Sequence, residues 1–316
     1  MTRGSASPGG RPPQTPPRWA AATAVSAVLT SALVTACSGT GGQPAPSPPS
    51  PTSSCHPGVS GAENWIMGNG ELSAVQSASP SSVSYAVSPA HLMVLELRGQ
   101  TSSAGQMVAD FRSYAELKEM IKKGTIPAGI HWLMYDNEQW PNTPADEQAD
   151  PVRYEQLFAR LAHRHGYKVI LAPAQDLVPG FDKNGFRSGK PAWPSYLSLG
   201  LAATSARVAD IYEIQAQPYE IGVYRSSHAY ASFVAAAAAQ ARAANPGIVI
   251  YAGLSTQRVS SPAQLLQDYQ ATRGLVDGYW LNIPRHNQPG PVALANQFFR
   301  NLPASASASG AACAGT

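Results

Sequence analysis

Two carboxylates two residues apart, Asp136 and Glu138, follow the apolar run Ile130-His131-Trp132-Leu133-Met134-Tyr135. Extended backbone alternates its side chains between two faces, so Trp132, Met134, Asp136 and Glu138 share one face and Asn137 takes the other. Paired carboxyls can divide the labour of acid–base chemistry. Burial or a second carboxylate raises one pKa, and that group keeps its proton while its partner ionises. The longer Glu138 is the expected proton donor. Asp136 is the expected nucleophile, base or electrostatic stabiliser, and Glu213 is the reserve partner. His131 falls on the opposite face, so it cannot join Asp136 and Glu138 in a metal site, and no metal or cofactor is expected.

The same alternation groups Glu213 with Gln215 and Gln217, and Trp280 with Asn282. In each run the polar members cluster at the C-terminal end. Asp136, Glu138, Gln175, Asp176, Gln215, Gln217, Glu220, Ser255, Gln257 and Asn282 are therefore expected to ring one mouth. Tyr135, Trp140, Trp193, Tyr219, Tyr224 and Trp280 are expected to add aromatic surface. Amides and carboxylates suit vicinal hydroxyls, and flat rings stack on the apolar faces of sugar rings. Trp140, Gln175, Asp176, Gln215, Gln217, Trp280 and Asn282 are the expected ligand contacts. Glu96, Arg98 and Glu213 also read as an interior ion-pair network. His163 and His165 suit the last turn of a helix, where positive charge meets the dipole. Asp146, Glu147 and Asp150 read as a solvated capping group.

The elements that must hold these residues alternate between strand and helix. Strands are expected at 92–98, 130–135, 169–172, 210–215, 248–251 and 276–281. Helices are expected at about 113–124, 150–165, 195–208, 227–244, 261 onward and 291–301. Further strands are expected within 63–88, around Trp65-Ile66-Met67 or Val83-Ser84-Tyr85. Strand–helix alternation implies a parallel sheet covered by helices. The expected fold is a (β/α)8-type TIM barrel with an irregular first part; an open doubly wound sheet is the alternative. The barrel is preferred because GxGxxG and GxxxxGK[ST] are both absent. In a barrel the polar strand tips converge at the C-terminal face.

Residues 19–36 form an uncharged run after a basic, Pro-rich start, and Val34-Thr35-Ala36-Cys37 resembles a bacterial lipobox. The expected organisation is a signal peptide at 1–36, a Pro/Ser/Gly-rich tether at 37–60, one barrel domain at 61–303 and a C-terminal tail at 304–316. Cys37 is the expected lipidation site, with an uncut membrane anchor as the alternative. Cys55 and Cys313 flank the body and are expected to pair in an oxidising compartment. None of the 19 acidic residues precedes Glu63, whereas Arg3, Arg11 and Arg18 do, so losing the leader leaves 19 basic against 19 acidic residues. A neutral body with 13% charged residues lacks a nucleic-acid footprint. At 44% hydrophobic it can bury a core. HExxH, GxSxG and zinc-type Cys/His spacings are absent.

Element order over about 90–300, with Tyr135-Asp136-Asn137-Glu138-Gln139-Trp140 at a strand end, resembles the glycoside-hydrolase-type TIM barrels of secreted bacterial proteins. The resemblance implies a catalytic acidic pair among Asp136, Glu138 and Glu213, and a surface-anchored hydrolase acting on a glycan. Tyr279-Trp280-Leu281-Asn282, a late strand tip, departs from that pattern by carrying no carboxylate. The alternative is a non-catalytic glycan- or wall-binding lipoprotein. A monomer outside the cytoplasmic membrane, either lipid-anchored or secreted, is expected, with a carbohydrate partner and no nucleic acid.

Overall fold

The computed structural model describes residues 63–96, 104–181, 185–220, 225–257 and 261–303. All lie in one compact unit, Cys55–Thr316. Cys37, Cys55, Cys313, Arg98, Tyr224 and the Glu96 side chain lie outside the described residues.

Eight parallel strands close into a barrel. They are β1 (Asn64–Gly68), β2 (Leu92–Glu96), β3 (Gln106–Phe111), β4 (Trp132–Tyr135), β5 (Lys168–Leu171), β6 (Ile211–Ile214), β7 (Val249–Ser255) and β8 (Gly278–Asn282). Chain order is kept around the ring, and β1 closes on β8 through Asn64↔Gly278, Trp65↔Tyr279 and Ile66↔Trp280. The barrel expectation holds and the open-sheet alternative falls. The helices are α1 (Asn69–Ala78), α2 (Pro80–Ala86), α3 (Tyr114–Lys123), α4 (Ala145–Ala149), α5 (Pro151–Arg164), α6 (Trp193–Ser198), α7 (Leu201–Ala206), α8 (Ser227–Ala244), α9 (Pro262–Thr272) and α10 (Pro289–Asn301).

Local chemistry sets the boundaries. Ser113 accepts the Glu116 N–H at 3.0 Å, and α3 stops at Gly124, which takes φ 63°. Asp150 accepts the Arg153 N–H with Pro151 at the first helical position of α5. The helix expected at 195–208 is broken at Gly200, whose φ of 72° only glycine adopts readily. Val83-Ser84-Tyr85, offered as a strand, lies in α2. Ser79-Pro80 opens that helix, and the stretch is too short for its β-formers to override the start signal.

Each strand splits its side chains between two cores. Ile66, Met93, Leu95, Val108, Met134, Ile170, Ile211, Tyr251 and Trp280 fill the barrel interior. Residues such as Leu133, Tyr135, Val169, Tyr212, Leu254 and Tyr279 face the helices. Large and small residues alternate where β7 meets β8: Gly278 pairs with Tyr251, and Trp280 with Gly253. The helix layer is aromatic. Tyr135 stacks on Phe158 at 4.8 Å, and Trp65 meets Phe299 edge-on at 5.5 Å.

One expected surface role is corrected. Glu147 is buried, not solvated, and accepts the Tyr114 N–H at 2.7 Å, the Ala115 N–H at 3.0 Å and the Tyr135 O–H at 2.6 Å. A carboxylate at the start of α3 satisfies donors that the helix cannot satisfy itself.

Candidate functional site

Strand β4 ends at Tyr135, and the next residue still follows the ladder: the Asp136 N–H donates to the Phe111 carbonyl at 2.9 Å. Asp136 therefore keeps the inward phase of Trp132 and Met134. Gln215, two residues after Glu213, sits at the tip of β6. Its Nε2 donates to Asp136 Oδ1 at 2.6 Å and to the Ala172 carbonyl at 2.8 Å. Gln175 Nε2 donates to the Gln215 carbonyl at 3.0 Å, and the Tyr219 hydroxyl donates to Gln175 Oε1. The tips of β4, β5 and β6 are thus tied by one amide chain.

Above this chain lies a cavity of about 340 Å³. It is lined by Asp136, Glu138, Trp140, Gln175, Asp176, Gln215, Gln217, Ser255, Gln257, Trp280 and Asn282, all expected from the sequence. Glu71, Asp110 and Arg112 line it too. These three were missed because two elements were missed. Strand β3 was overlooked, although Val108, Asp110 and Arg112 share its inward phase while Ala109 and Phe111 pack outward. The alternation of Met107-Val108-Ala109-Asp110-Phe111, just before the Ser113 cap, was the available signal. Glu71 belongs to the first turn of α1, where it accepts the Gly68 N–H at 3.0 Å and the Ile283 N–H at 2.8 Å.

Other expected members are displaced. Glu220 is buried behind the mouth, where it accepts the Ser255 N–H at 2.8 Å. Glu213 lies below the mouth, fully buried, with neither carboxyl oxygen hydrogen-bonded. Tyr135 and Tyr219 are buried with their rings among other aromatic side chains, and Trp193 packs against Phe233, so none of the three adds to the mouth. The chain after β5 forms one wall of the cavity. Gln175 and Gly185 contribute to the lining, and Phe186 turns back onto Tyr219 at 5.5 Å.

The electrostatics follow from crowding. Burial, then the Coulombic presence of Asp176 and Asp110, pushes Glu138 up to about 7. Burial pushes Asp110 up to about 6, with Arg112 opposing the rise. Burial first, then Glu138, Asp110 and Glu213, holds Asp136 well above the usual carboxylate range. Glu213 is raised for the same reasons, burial and then Glu138. The Arg112 guanidinium lies over the Trp140 ring, 4.9 Å from its centroid. Trp140 Nε1 donates to Thr143 Oγ1 at 2.7 Å, and that hydroxyl donates to the Arg112 carbonyl at 2.7 Å. The set can accept and donate hydrogen bonds at neutral pH, and it can move a proton.

No protein-family model matches the chain, and no curated protein matches it. Solved structures do match. A Schiff-base-forming fructose-1,6-bisphosphate aldolase is 9% identical with a TM-score of 0.40, over 76% of this chain and 94% of that one. An archaeal fructose 1,6-bisphosphate aldolase is 10% identical with a TM-score of 0.40, over 75% and 92%. A truncated 3-deoxy-D-arabino-heptulosonate 7-phosphate synthase from Thermotoga maritima is 10% identical with a TM-score of 0.40, over 76% and 85%. These are aldolases and a synthase, not glycoside hydrolases, and the glycoside-hydrolase expectation is corrected accordingly. At such identity they lend this chain no activity of their own. Among the described residues lining the cavity none is a lysine.

Proposed function

We propose that the barrel mouth binds a hydroxyl-rich, non-anionic ligand of sugar size, and that the chain serves as an extracytoplasmic carbohydrate-binding protein. The observation that carries this reading is the lining itself. Carboxyls, side-chain amides and the Trp140 and Trp280 rings surround one cavity in which Arg112 is the only cationic side chain among the described residues. A phosphorylated or otherwise anionic ligand would meet Asp110, Asp136, Glu138 and Asp176 at close range and be repelled. A sugar offers each of these groups a hydroxyl and each ring a C–H face. The volume of about 340 Å³ suits one or two sugar rings.

The leader supports the address. Cys37 as a lipidated mature N-terminus would anchor the protein, residues 38–60 would act as a tether, and a Cys55–Cys313 disulfide would join the ends of the body. Replacing Cys37 by Ser is expected to release the protein from the membrane fraction or leave its leader uncut. Non-reducing thiol labelling is expected to find Cys55 and Cys313 blocked.

Because Glu138 is held near neutrality beside other carboxyls, a second reading is proton transfer within the bound ligand. Calorimetric titration against a saccharide panel tests binding. Solvent-deuterium incorporation into a bound sugar, followed by proton NMR, tests transfer. A panel without a single binder would remove both readings.

A further inference from the structure

The two ends of the barrel differ in charge. The strands run from the base to the mouth, so the helices return their C-termini to the base. Lys122 and Lys123 stand in the last turn of α3, Arg164 in the last turn of α5, Arg207 at the end of α7 and Lys168 at the start of β5. All of them are exposed. Strands β4 and β5 are paired, α3 packs on α5, and α5 packs on α7, so these cations occupy one continuous sector of the base.

Basic residues suit helix C-termini in any barrel, so their number alone marks no surface. The acids of the same end set this one apart. Asp210 accepts the Val169 N–H at 2.8 Å and lies 2.9 Å from His163 Nε2. Asp277 accepts the Ile250 N–H at 2.9 Å and lies 3.3 Å from Arg242. Glu63 accepts the Tyr269 hydroxyl at 2.6 Å. Each of the three is half-buried and turned to its own scaffold. Among the described residues of the sector, Lys123 alone has an exposed acidic partner, Glu119 at 3.0 Å. The exposed acids Glu116, Asp146 and Asp150 stand at the mouth end, where α3, α4 and α5 begin. Trp132, at the start of β4, is half-buried with Lys168 Nζ 5.1 Å from its ring centroid, and Val249, at the start of β7, is exposed. The chain also enters β1 from the base, at Asn64. Residues 38–60, the expected tether, span at most about 80 Å, which permits either end of the barrel to face the surface that holds the anchor. Charge is left to choose the end.

We propose that the base rests on an anionic lipid surface, with Lys122, Lys123, Arg164, Lys168 and Arg207 against the headgroup phosphates, so that the mouth opens away from the membrane. The inference rests on the membrane-anchor part of the proposed function and is independent of the sugar site. Lysine and arginine are drawn to an anionic leaflet across about a Debye length, roughly 10 Å at 0.1 M salt. A tryptophan with a lysine beside it suits the level of the headgroups. The same field repels Glu116, Asp146, Asp150 and the carboxyl-lined mouth, so attraction and repulsion favour one orientation.

The test is amine acetylation of the full chain on vesicles, followed residue by residue by mass spectrometry. One vesicle is phosphatidylcholine, and the other is a phosphatidylcholine–phosphatidylglycerol mixture. Lys122, Lys123 and Lys168 are expected to react at least threefold more slowly on the anionic vesicle, and salt at about 0.5 M is expected to remove the difference. Lys190, exposed in the connection between β5 and α6 on the mouth side, is expected to react alike on both. The double variant Arg164→Gln/Arg207→Gln, whose sites are exposed and outside the cavity lining, is expected to cut the protection of Lys168 below about 1.5-fold. Equal labelling of Lys168 on the two vesicles, or protection of Lys190 in its place, would overturn the inference. Protection by soluble polyphosphate but not by the anionic vesicle would assign the face to another polyanion and overturn it as well. Fractionation of the Cys37→Ser protein reports the anchor separately, so a base that fails beside an anchor that holds is told apart from a failed anchor.

Discussion

Gln215 Nε2 holds Asp136 Oδ1 at 2.6 Å and the Ala172 carbonyl at 2.8 Å, so one amide joins the tips of three adjacent strands. Asp136 is thereby oriented by an uncharged amide, while the Arg112 guanidinium acts on it electrostatically. Removing the amide frees Asp136 and leaves a buried carbonyl unpaired. Gln215→Ala is expected to weaken ligand binding at least tenfold and to cost about 1–3 kcal/mol of stability by chemical denaturation. Unchanged binding in a folded Gln215→Ala protein would show that the clamp does not position the site.

The carboxyl cluster makes stability depend on pH. A carboxyl whose pKa is raised on folding binds more protons in the folded state than in the unfolded one. Its contribution is present below the unfolded value and is lost as pH rises through the folded value. For Glu138 that window runs from the model-peptide value of 4.5 to about 7, and for Asp110 from 3.8 to about 6. Denaturant midpoints are therefore expected to fall between pH 4 and pH 7. Glu138→Gln is expected to flatten that fall and to stabilise the protein by about 1–3 kcal/mol at pH 8. A wild-type midpoint that rises through this window would contradict the crowding.

Gly253 faces inward beside Trp280, and a Cβ placed on it would run into the Gln217 side chain. The glycine is what lets Gln217 lie across β7 at the cavity wall. Gly253→Ala is expected to displace Gln217 and to weaken binding several-fold. The fold should be preserved within about 1–2 kcal/mol, because the obstructed group is the end of a flexible side chain. Retained affinity would place Gln217 outside the ligand contacts.

Glu147 shows the opposite division, a carboxylate that serves the scaffold. Glu147→Ala strips partners from two backbone N–H groups at the start of α3 and from the buried Tyr135 hydroxyl. A loss of about 2–4 kcal/mol is expected. Ligand affinity in the protein that remains folded should match wild type.

Much of this was legible in the chain because period-two patterning survives burial. Asp136, Glu138, Gln215, Trp280 and Asn282 keep the phase of the inward-facing residues before them, so their convergence could be read once a closed sheet was assumed; Gln217 reaches the same cavity from the turn of 3-10 helix after β6. Asp110 and Arg112 escaped because β3 alternates polar and apolar residues just before the Ser113 cap instead of forming a continuous apolar run. Glu71 escaped because its place comes from a helix start meeting the chain after β8, a contact between distant segments. Glu213 and Glu220 show the limit of phase alone, since neither one's depth below the mouth is encoded by its face. The glycoside-hydrolase expectation failed for a related reason: carboxyl type and order do not state which bond, if any, the site acts on.

The proposed sugar-like ligand would occupy the mouth bounded by Asp136 and Glu138. The most direct test is calorimetric titration of a saccharide panel, amino sugars included, into the wild-type protein and into the Asp136→Ala/Glu138→Ala double variant. Saturable binding by wild type is expected, with at least a tenfold loss in the double variant, its barrel still folded by circular dichroism. Saccharide binding that survives the double substitution unchanged, or a wild-type protein that binds none of the panel, would contradict it.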